Sequence, residues 1–360
     1  MANWSVEVLN TQVLCRQPGR YIGWPTVVRT REGELIAAFS GDRDAHVCPW
    51  GKTQIVRSRD DGRTWSAPET ITDSPLDDRD VGIIETPRGT LLVAWFTSVA
   101  FVEWADRMRK NYGDATVDGW ADKIRSVTPG LRARWLGNWT RRSTDGGRTW
   151  DEPVRTVGTA PHGPIVLADG RLLYVGRGQV DGEPAITAEE SLDDGLSWQV
   201  IGSIPVAPGE SMADLHEPHV VETAGGRLVA MIRYQPRDID QHYMRQAESD
   251  DGGRTWSVMH PTPLWGLPPH LIRLSNDWLV VAYGRHKPPF GERIAISRDG
   301  GETWEGGEDG EGIEISSGPN GDLGYPASTE LADGSVFTVY YQIAAPGEKT
   351  SLMGTHWRIC

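Results

Sequence analysis

One eight-residue pattern, Ser-x-Asp-x-Gly-x-Thr/Ser-Trp, occurs five times, at Ser58–Trp65, Ser143–Trp150, Ser191–Trp198, Ser249–Trp256 and Ser297–Trp304. Each copy specifies a turn. Ser and Asp side chains satisfy nearby backbone groups, Gly supplies a left-handed backbone conformation, and Trp buries a large apolar face that should anchor the turn against its own sheet. Three of the four intervals between copies are about 50 residues, and the first is far longer. Repeats of about 40 to 50 residues built from short strands read as propeller blades.

A second regularity lies upstream of the boxes: an apolar strand, a Gly-centred turn and another apolar strand. Pro25–Val28, Gly33 and Leu35–Phe39 form one such unit; Pro164–Leu167, Asp169-Gly170 and Leu172–Val175 form another. Asp-Gly between apolar runs is a hairpin signal. Six units begin near Trp24, Asp80, Gly163, Pro218, His270 and Tyr325. The sixth has no box, and the N-terminal run Val6–Leu9 to Val13-Leu14 can supply its missing outer strand, which would remove a free sheet edge. Residues from about 99 to 136, with Trp104, Met108, Tyr112, Trp120, Ile124 and Trp135 among many charges, form an insertion that is partly helical and should act as a lid or wall. The expectation is an all-β, six-bladed β-propeller with five boxes and a partly helical insertion in blade two, occupying residues 1–360 as a single domain.

Bulk properties narrow the function. A formal net charge of −14 disfavours nucleic acid, whose phosphates need clustered Lys and Arg, and an anionic membrane surface. No run of about 18 apolar residues is present, so no spanning helix is expected. The start lacks a basic region followed by an apolar stretch, which points to a cytoplasmic protein or to a secretory signal already trimmed. Cys15, Cys48 and Cys360 are too few for a disulfide framework and lack zinc-site spacing. No metal or organic cofactor is implied, and nothing in the composition fixes the oligomeric state.

In a four-stranded blade, the box turns mark one face and the inner-strand starts and second-to-third-strand loops mark the other. The latter face collects seven of the nine histidines: His46, His162, His216, His219, His242, His270 and His286. Convergent polar groups at a channel mouth are the default candidate for a site; the alternative for each histidine is a bridge between neighbouring blades.

The boxes on a six-unit pattern resemble the sialidase superfamily over nearly the whole chain. His216-Glu217-Pro218-His219 is similar to the segment that carries the sialidase glutamate, at Glu217, and Gly324-Tyr325-Pro326 to the one that carries the tyrosine nucleophile, at Tyr325. The resemblance implies that Glu217 takes the phenolic proton as Tyr325 attacks the sugar. It also implies that Arg233 and Arg285 hold a substrate carboxylate. Two departures stand out. Gly23 of Ile22-Gly23-Trp24-Pro25 replaces the first carboxylate-binding arginine, leaving Arg43 or Arg79 as substitutes. The place of the acid/base aspartate falls at His46, with Asp42 and Asp44 just before it; histidine can serve that role near neutral pH. Trp24 and the insertion are expected to stack on the sugar, with Asp80, His162, His219 and His270 among the binding groups. The resulting expectation is a glycoside hydrolase removing a terminal acidic sugar. A polysaccharide lyase using His and Tyr on a uronate, and a non-catalytic glycan-binding propeller, are the alternatives.

Overall fold

The computed structural model describes residues 4–306 and 311–360, and its strands form six four-stranded antiparallel sheets, a six-bladed β-propeller. Inner strands are Tyr21–Arg29, Asp77–Glu85, Ile165–Val166, Leu215–Glu222, Leu267–Arg273 and Leu323–Glu330. The second strands are deeply buried; Leu279–Arg285, for example, is buried throughout. Neighbouring blades cover it on both sides, which is why its sequence reads as a continuous apolar run instead of an alternating one.

The sixth blade closes as the sequence implies. Val6–Cys15 forms its outer strand, running antiparallel to Thr350–Ile359 from the pair Val6–Ile359 to the pair Cys15–Leu352. The ring therefore leaves no inner or outer strand of this blade unpaired at the junction.

The core consists of layers between blades. Leu173 and Val175 of blade three pack with Leu228 and Ala230 of blade four, and Ala37 and Phe39 of blade one with Phe337 and Val339 of blade six. The box turns belong to these layers. In the first, Ser58 Oγ donates to Asp60 Oδ1 at 2.8 Å, and Asp60 accepts the Thr64 amide at 2.9 Å and the Thr64 hydroxyl at 2.7 Å. The other four segments repeat this arrangement. The box tryptophans do not pack only on their own sheet, as expected above. Trp65 meets Phe337 of the preceding blade with ring centroids 5.7 Å apart, Trp198 donates to Thr140 at 3.0 Å, and Trp304 donates to Gln246 at 2.7 Å. The box glycine makes this approach possible. A Cβ on Gly62, at φ +83°, would sit 2.5 Å from the Phe337 ring, so any other residue would push two blades apart.

The insertion consists of five short helices, Ala100–Glu103, Ala105–Tyr112, Asp114–Asp118, Ala121–Ser126 and Pro129–Trp135. They bury Phe101, Met108, Val117 and Trp120 against Val47 and Cys48 of the blade-one loop. The helical segment is thus pinned across blades one and two at the channel mouth.

Candidate active site

Five of the six inner strands carry a bulge near their start, where the pairing with the second strand slips: between Gly23 and Thr26, Arg79 and Gly82, His216 and His219, Leu267 and His270, and Gly324 and Ala327. An inserted residue re-aims side chains, and bulges collect next to active sites. At the same point of four of these bulges a non-glycine residue adopts the left-handed conformation: Trp24 (φ 53°), Asp80 (φ 52°), Glu217 (φ 44°) and Tyr325 (φ 55°). This backbone state is unfavourable for residues with a Cβ and is retained where the surroundings enforce it, commonly at functional sites. In the fifth bulge the position is Pro268, whose ring forbids it.

Three of the four residues turned this way line one cavity. Tyr325 Oη donates to Glu217 Oε1 at 2.7 Å, Arg233 Nη1 donates to Tyr325 Oη at 3.1 Å, and the same guanidinium pairs with Glu217 Oε2 and with Gln235 Oε1. Asp80 stands beside them. The space divides into two lobes that meet at His46 and Tyr325. One, of about 410 Å3, is bounded by Arg79, Asp80, Glu217 and the insertion residues Trp104, Arg107 and Asn111. The other, of about 360 Å3, is bounded by Arg233, Gln235, His286 and Asp322.

The electrostatics differ sharply from one group to the next. Burial, and then the Glu217 carboxylate, hold the Tyr325 phenol well above its ordinary value, so Tyr325 is a neutral hydroxyl until a base takes its proton. Burial and then Glu217 also push Asp80 up to about 7, against the pull of Arg79, Arg233 and Arg43. His46 moves the other way: burial first, then Arg79, Arg43 and Arg233, hold it well below 6.5 and keep it neutral. Its tautomer follows from its partners. Tyr21 donates its only proton to Asp322 at 2.7 Å, so the 3.0 Å contact from Tyr21 Oη to His46 Nδ1 requires Nδ1–H and leaves Nε2 as a lone pair.

Several residues expected at the site lie elsewhere. Trp24 is fully buried, with the guanidinium carbons of Arg79 and Arg43 4.2 and 4.7 Å from its ring centroid; it supports the site from beneath and cannot stack on a sugar. Arg43 is also fully buried. It donates to Asp77 Oδ2 at 2.9 Å, to Ser40 Oγ at 2.8 Å and to the His46 carbonyl at 3.1 Å, which pins the His46 loop to blade two. Arg285 pairs with Glu311 at 2.9 Å and lines neither lobe. Asp44 pairs with Arg20 and accepts Trp120 Nε1 at 2.8 Å, facing a different cleft. His162, His219 and His270 form a buried cluster in the channel. His219 and His270 stack at 4.5 Å, and His162 lies 5.0 Å from His270 and 6.1 Å from the Tyr325 ring. Their Nδ1 atoms bridge blades: His219 accepts the Leu271 amide at 2.9 Å, His270 accepts the Ser328 amide at 3.2 Å, and His162 meets the Thr26 hydroxyl at 2.9 Å. Of the expected residues, the cavity brings together Tyr325, Glu217, Arg233, His46, Arg79 and Asp80. Sequence reading placed Gln235 and Tyr21 on this face without giving them a role, and missed Asp322, Arg107 and Asn111. Asp322 lies three residues before Tyr325, a proximity that offered the only signal. Among the described residues no three His, Cys, Asp or Glu side chains converge as a metal ion would need, and no helix is long and apolar enough to cross a membrane.

Comparison with known proteins agrees with this architecture. The BNR repeat-like domain matches residues 83–338. A xyloglucanase from a Paenibacillus species is 26% identical over 298 residues, covering 76% of this chain and 24% of its own length, so the chain spans about a quarter of that relative. A protein of unknown function from Dyadobacter fermentans superposes with a TM-score of 0.78 at 24% identity, over 99% of both chains. The NanB sialidase of Streptococcus pneumoniae superposes with a TM-score of 0.66 at 13% identity, covering 97% of this chain and 70% of that one. An α-L-arabinanase from Penicillium chrysogenum superposes with a TM-score of 0.62 at 15% identity, over 97% and 98% of the two chains. The chain is a member of the BNR repeat-like domain family, with the sialidase-like six-bladed propeller fold.

Proposed function

We propose that the protein is a glycoside hydrolase that removes a terminal, acidic sugar from a glycan through a Tyr325–Glu217 nucleophilic pair. The observation that carries this reading is the 2.7 Å bond from Tyr325 Oη to Glu217 Oε1, with Arg233 on both groups. In the first half-reaction Tyr325 Oη bonds to the anomeric carbon as its proton passes to Glu217, and the glycosidic C–O bond breaks. Arg233 stabilises the carboxylate before the transfer and the phenolic oxygen during it. A cavity walled on one side by the insertion suits a chain end. That the fold is shared with a sialidase and an arabinanase supports sugar chemistry at the class level.

The acidic preference rests on Arg79. Its Nε is buried without a partner among the described residues, and it lines the lobe next to Asp80. Arg233 is already committed to Glu217 and Arg285 points away, so a substrate carboxylate would meet Arg79, with Arg107 at the rim. This differs from the three-arginine clamp expected from the resemblance.

The oriented, neutral His46 favours one competing reading, proton abstraction by a uronate lyase with Tyr325 as acid. The test is turnover of methylumbelliferyl α-sialoside, β-glucuronide and α-L-arabinofuranoside by the wild type and by Tyr325→Phe and Glu217→Gln. Hydrolysis of an acidic glycoside that both substitutions abolish is expected. Accumulation of an unsaturated uronate from a uronate-containing polysaccharide, with no glycoside hydrolysed, would replace the hydrolase reading by the lyase one.

A further inference from the structure

We propose that Asp80, and not the expected His46 or Asp44, is the general acid/base of this site. The inference rests on the hydrolase reading above and adds the residue that handles the leaving group.

Three observations converge on Asp80. First, it occupies the same bulge position on blade two that Glu217 and Tyr325 occupy on blades four and six, with the same left-handed backbone. One structural device therefore aims all three at the channel mouth. Second, Asp80 Oδ1 is buried and has no hydrogen-bond partner among the described residues. A buried polar atom left unpaired is costly and calls for a reason. Its strand neighbours show what a purely structural aspartate looks like here: Asp77 pairs with Arg43 through both oxygens, at 2.7 and 2.9 Å, and Asp78 accepts the Ser74 amide at 2.8 Å and Trp95 Nε1 at 3.1 Å. Third, Asp80 lines the lobe that also holds Glu217, Tyr325 and Arg79, so a sugar seated there meets both the nucleophile and this carboxyl.

The alternatives fit less well. Asp44 is ion-paired and faces another cleft. His46 is kept neutral by burial first and then by Arg79, Arg43 and Arg233, which suits a proton acceptor and not a donor at neutral pH. Burial and then the Glu217 carboxylate favour the protonated form of Asp80, and Arg79, Arg233 and Arg43 oppose it; Tyr325 beside it is a neutral hydroxyl. The balance leaves a carboxyl that can hold and release a proton close to neutrality, where acid/base catalysis is most effective.

The proton account closes. In the first step the Asp80 O–H gives its proton to the glycosidic oxygen as the C–O bond breaks and Tyr325 bonds to the anomeric carbon. In the second, water attacks that carbon, its proton goes to the Asp80 carboxylate, the C–O bond to Tyr325 breaks, and the phenolic oxygen recovers its proton from Glu217.

The experiment uses the sugar that the wild type releases from the methylumbelliferyl panel, presented as its phenyl and dinitrophenyl glycosides. Asp80→Asn should cut turnover of the phenyl glycoside by roughly 100- to 10,000-fold. Formation of the glycosyl–enzyme from the dinitrophenyl glycoside, which needs no proton, should be nearly unchanged. Added azide should restore steady turnover of that substrate and yield a glycosyl azide, an outcome that a merely structural aspartate would not produce. His46→Ala serves as the parallel variant. If Asp80→Asn slows both substrates equally without azide rescue, or if His46→Ala alone shows the leaving-group dependence, the Asp80 role is overturned while hydrolysis stands. A wild type inert toward the whole panel overturns the hydrolase reading and this role with it.

Discussion

Replacing Asp80 with asparagine should make the protein more stable at neutral and alkaline pH, and the size of the gain can be worked from the site. An aspartate that ordinarily titrates at 3.8 is pushed up to about 7 in the folded chain. Because the folded value is raised, the protonated carboxyl contributes fully below pH 3.8. That contribution is lost as pH rises through about 7, where the folded state must carry a buried charge. Each pK unit is worth about 1.4 kcal/mol, so roughly three units amount to on the order of 4 kcal/mol above pH 7, and about half of that near pH 5.5. The asparagine amide would keep the shape without the charge. Urea unfolding followed by tryptophan fluorescence, run at about pH 5 and about pH 8 on both proteins, reads the difference directly. The expected result is a small gain for Asp80→Asn at the lower pH and a gain of a few kcal/mol at the higher one. Equal stabilities at both pH values would refute the reasoning, because they would mean that Asp80 ionises as an ordinary surface carboxylate. Asp78 provides contrast: burial pushes it up to about 7 as well, but its oxygens accept real donors, so Asp78→Asn should not give the same clean gain.

Other outcomes follow from the same geometry. Arg43→Met leaves Asp77 as an uncompensated buried charge and should lower unfolding free energy by about 3–5 kcal/mol, read by urea titration; a stable variant with only a raised KM would instead make Arg43 a substrate ligand. Trp256→Ala removes a box tryptophan buried between blades three and four and should cost about 3–5 kcal/mol, measured the same way, with the whole ring unfolding at lower urea. Burial lowers His219 to about 4, so its neutral form contributes stability above about pH 6.5 that is lost as pH falls toward 4. His219→Gln should flatten the acid limb of a plot of Tm against pH across that window. Trp104 is half exposed on the insertion and lines the cavity; Trp104→Ala should raise KM roughly tenfold with kcat retained, a loss of about 1.4 kcal/mol in binding.

The repeat made the fold legible. A box turn needs Ser, Asp, Gly and Trp at fixed spacing, and those constraints survive in the sequence because each is local. The closure by Val6–Cys15 was readable for a related reason: the sixth unit lacked an outer strand, and only one unassigned apolar run was left to supply it. The partners of the box tryptophans were not readable, because Trp65 meets Phe337 across the blade junction, and a motif says nothing about what lies on the neighbouring sheet. The site divided along the same line. Glu217 and Tyr325 sit in recognisable segments, and the structure places them 2.7 Å apart. Arg43, Arg285 and the three channel histidines occupy the right end of the propeller, but a side chain one strand residue away can point into the blade junction instead of the cavity. Arg43 turns to Asp77, and His219 turns to the Leu271 amide. Asp80 was legible as a strand-start residue among the expected binding groups, not as an acid or base. What sets it apart is a bulge, a positive φ and an Oδ1 with no hydrogen-bond partner among the described residues, all of which are properties of the folded chain.

The central claim, that Tyr325 is the nucleophile of a glycosidase, is tested most directly by trapping the intermediate. A fluorinated, activated glycoside of the sugar turned over in the panel forms the glycosyl–enzyme faster than water releases it, and peptide mass mapping then locates the sugar. The expected result is one added sugar on the peptide containing Tyr325, lost in Tyr325→Phe. A sugar attached to Glu217, or no attached sugar on any peptide while the wild type is turning over, would contradict it.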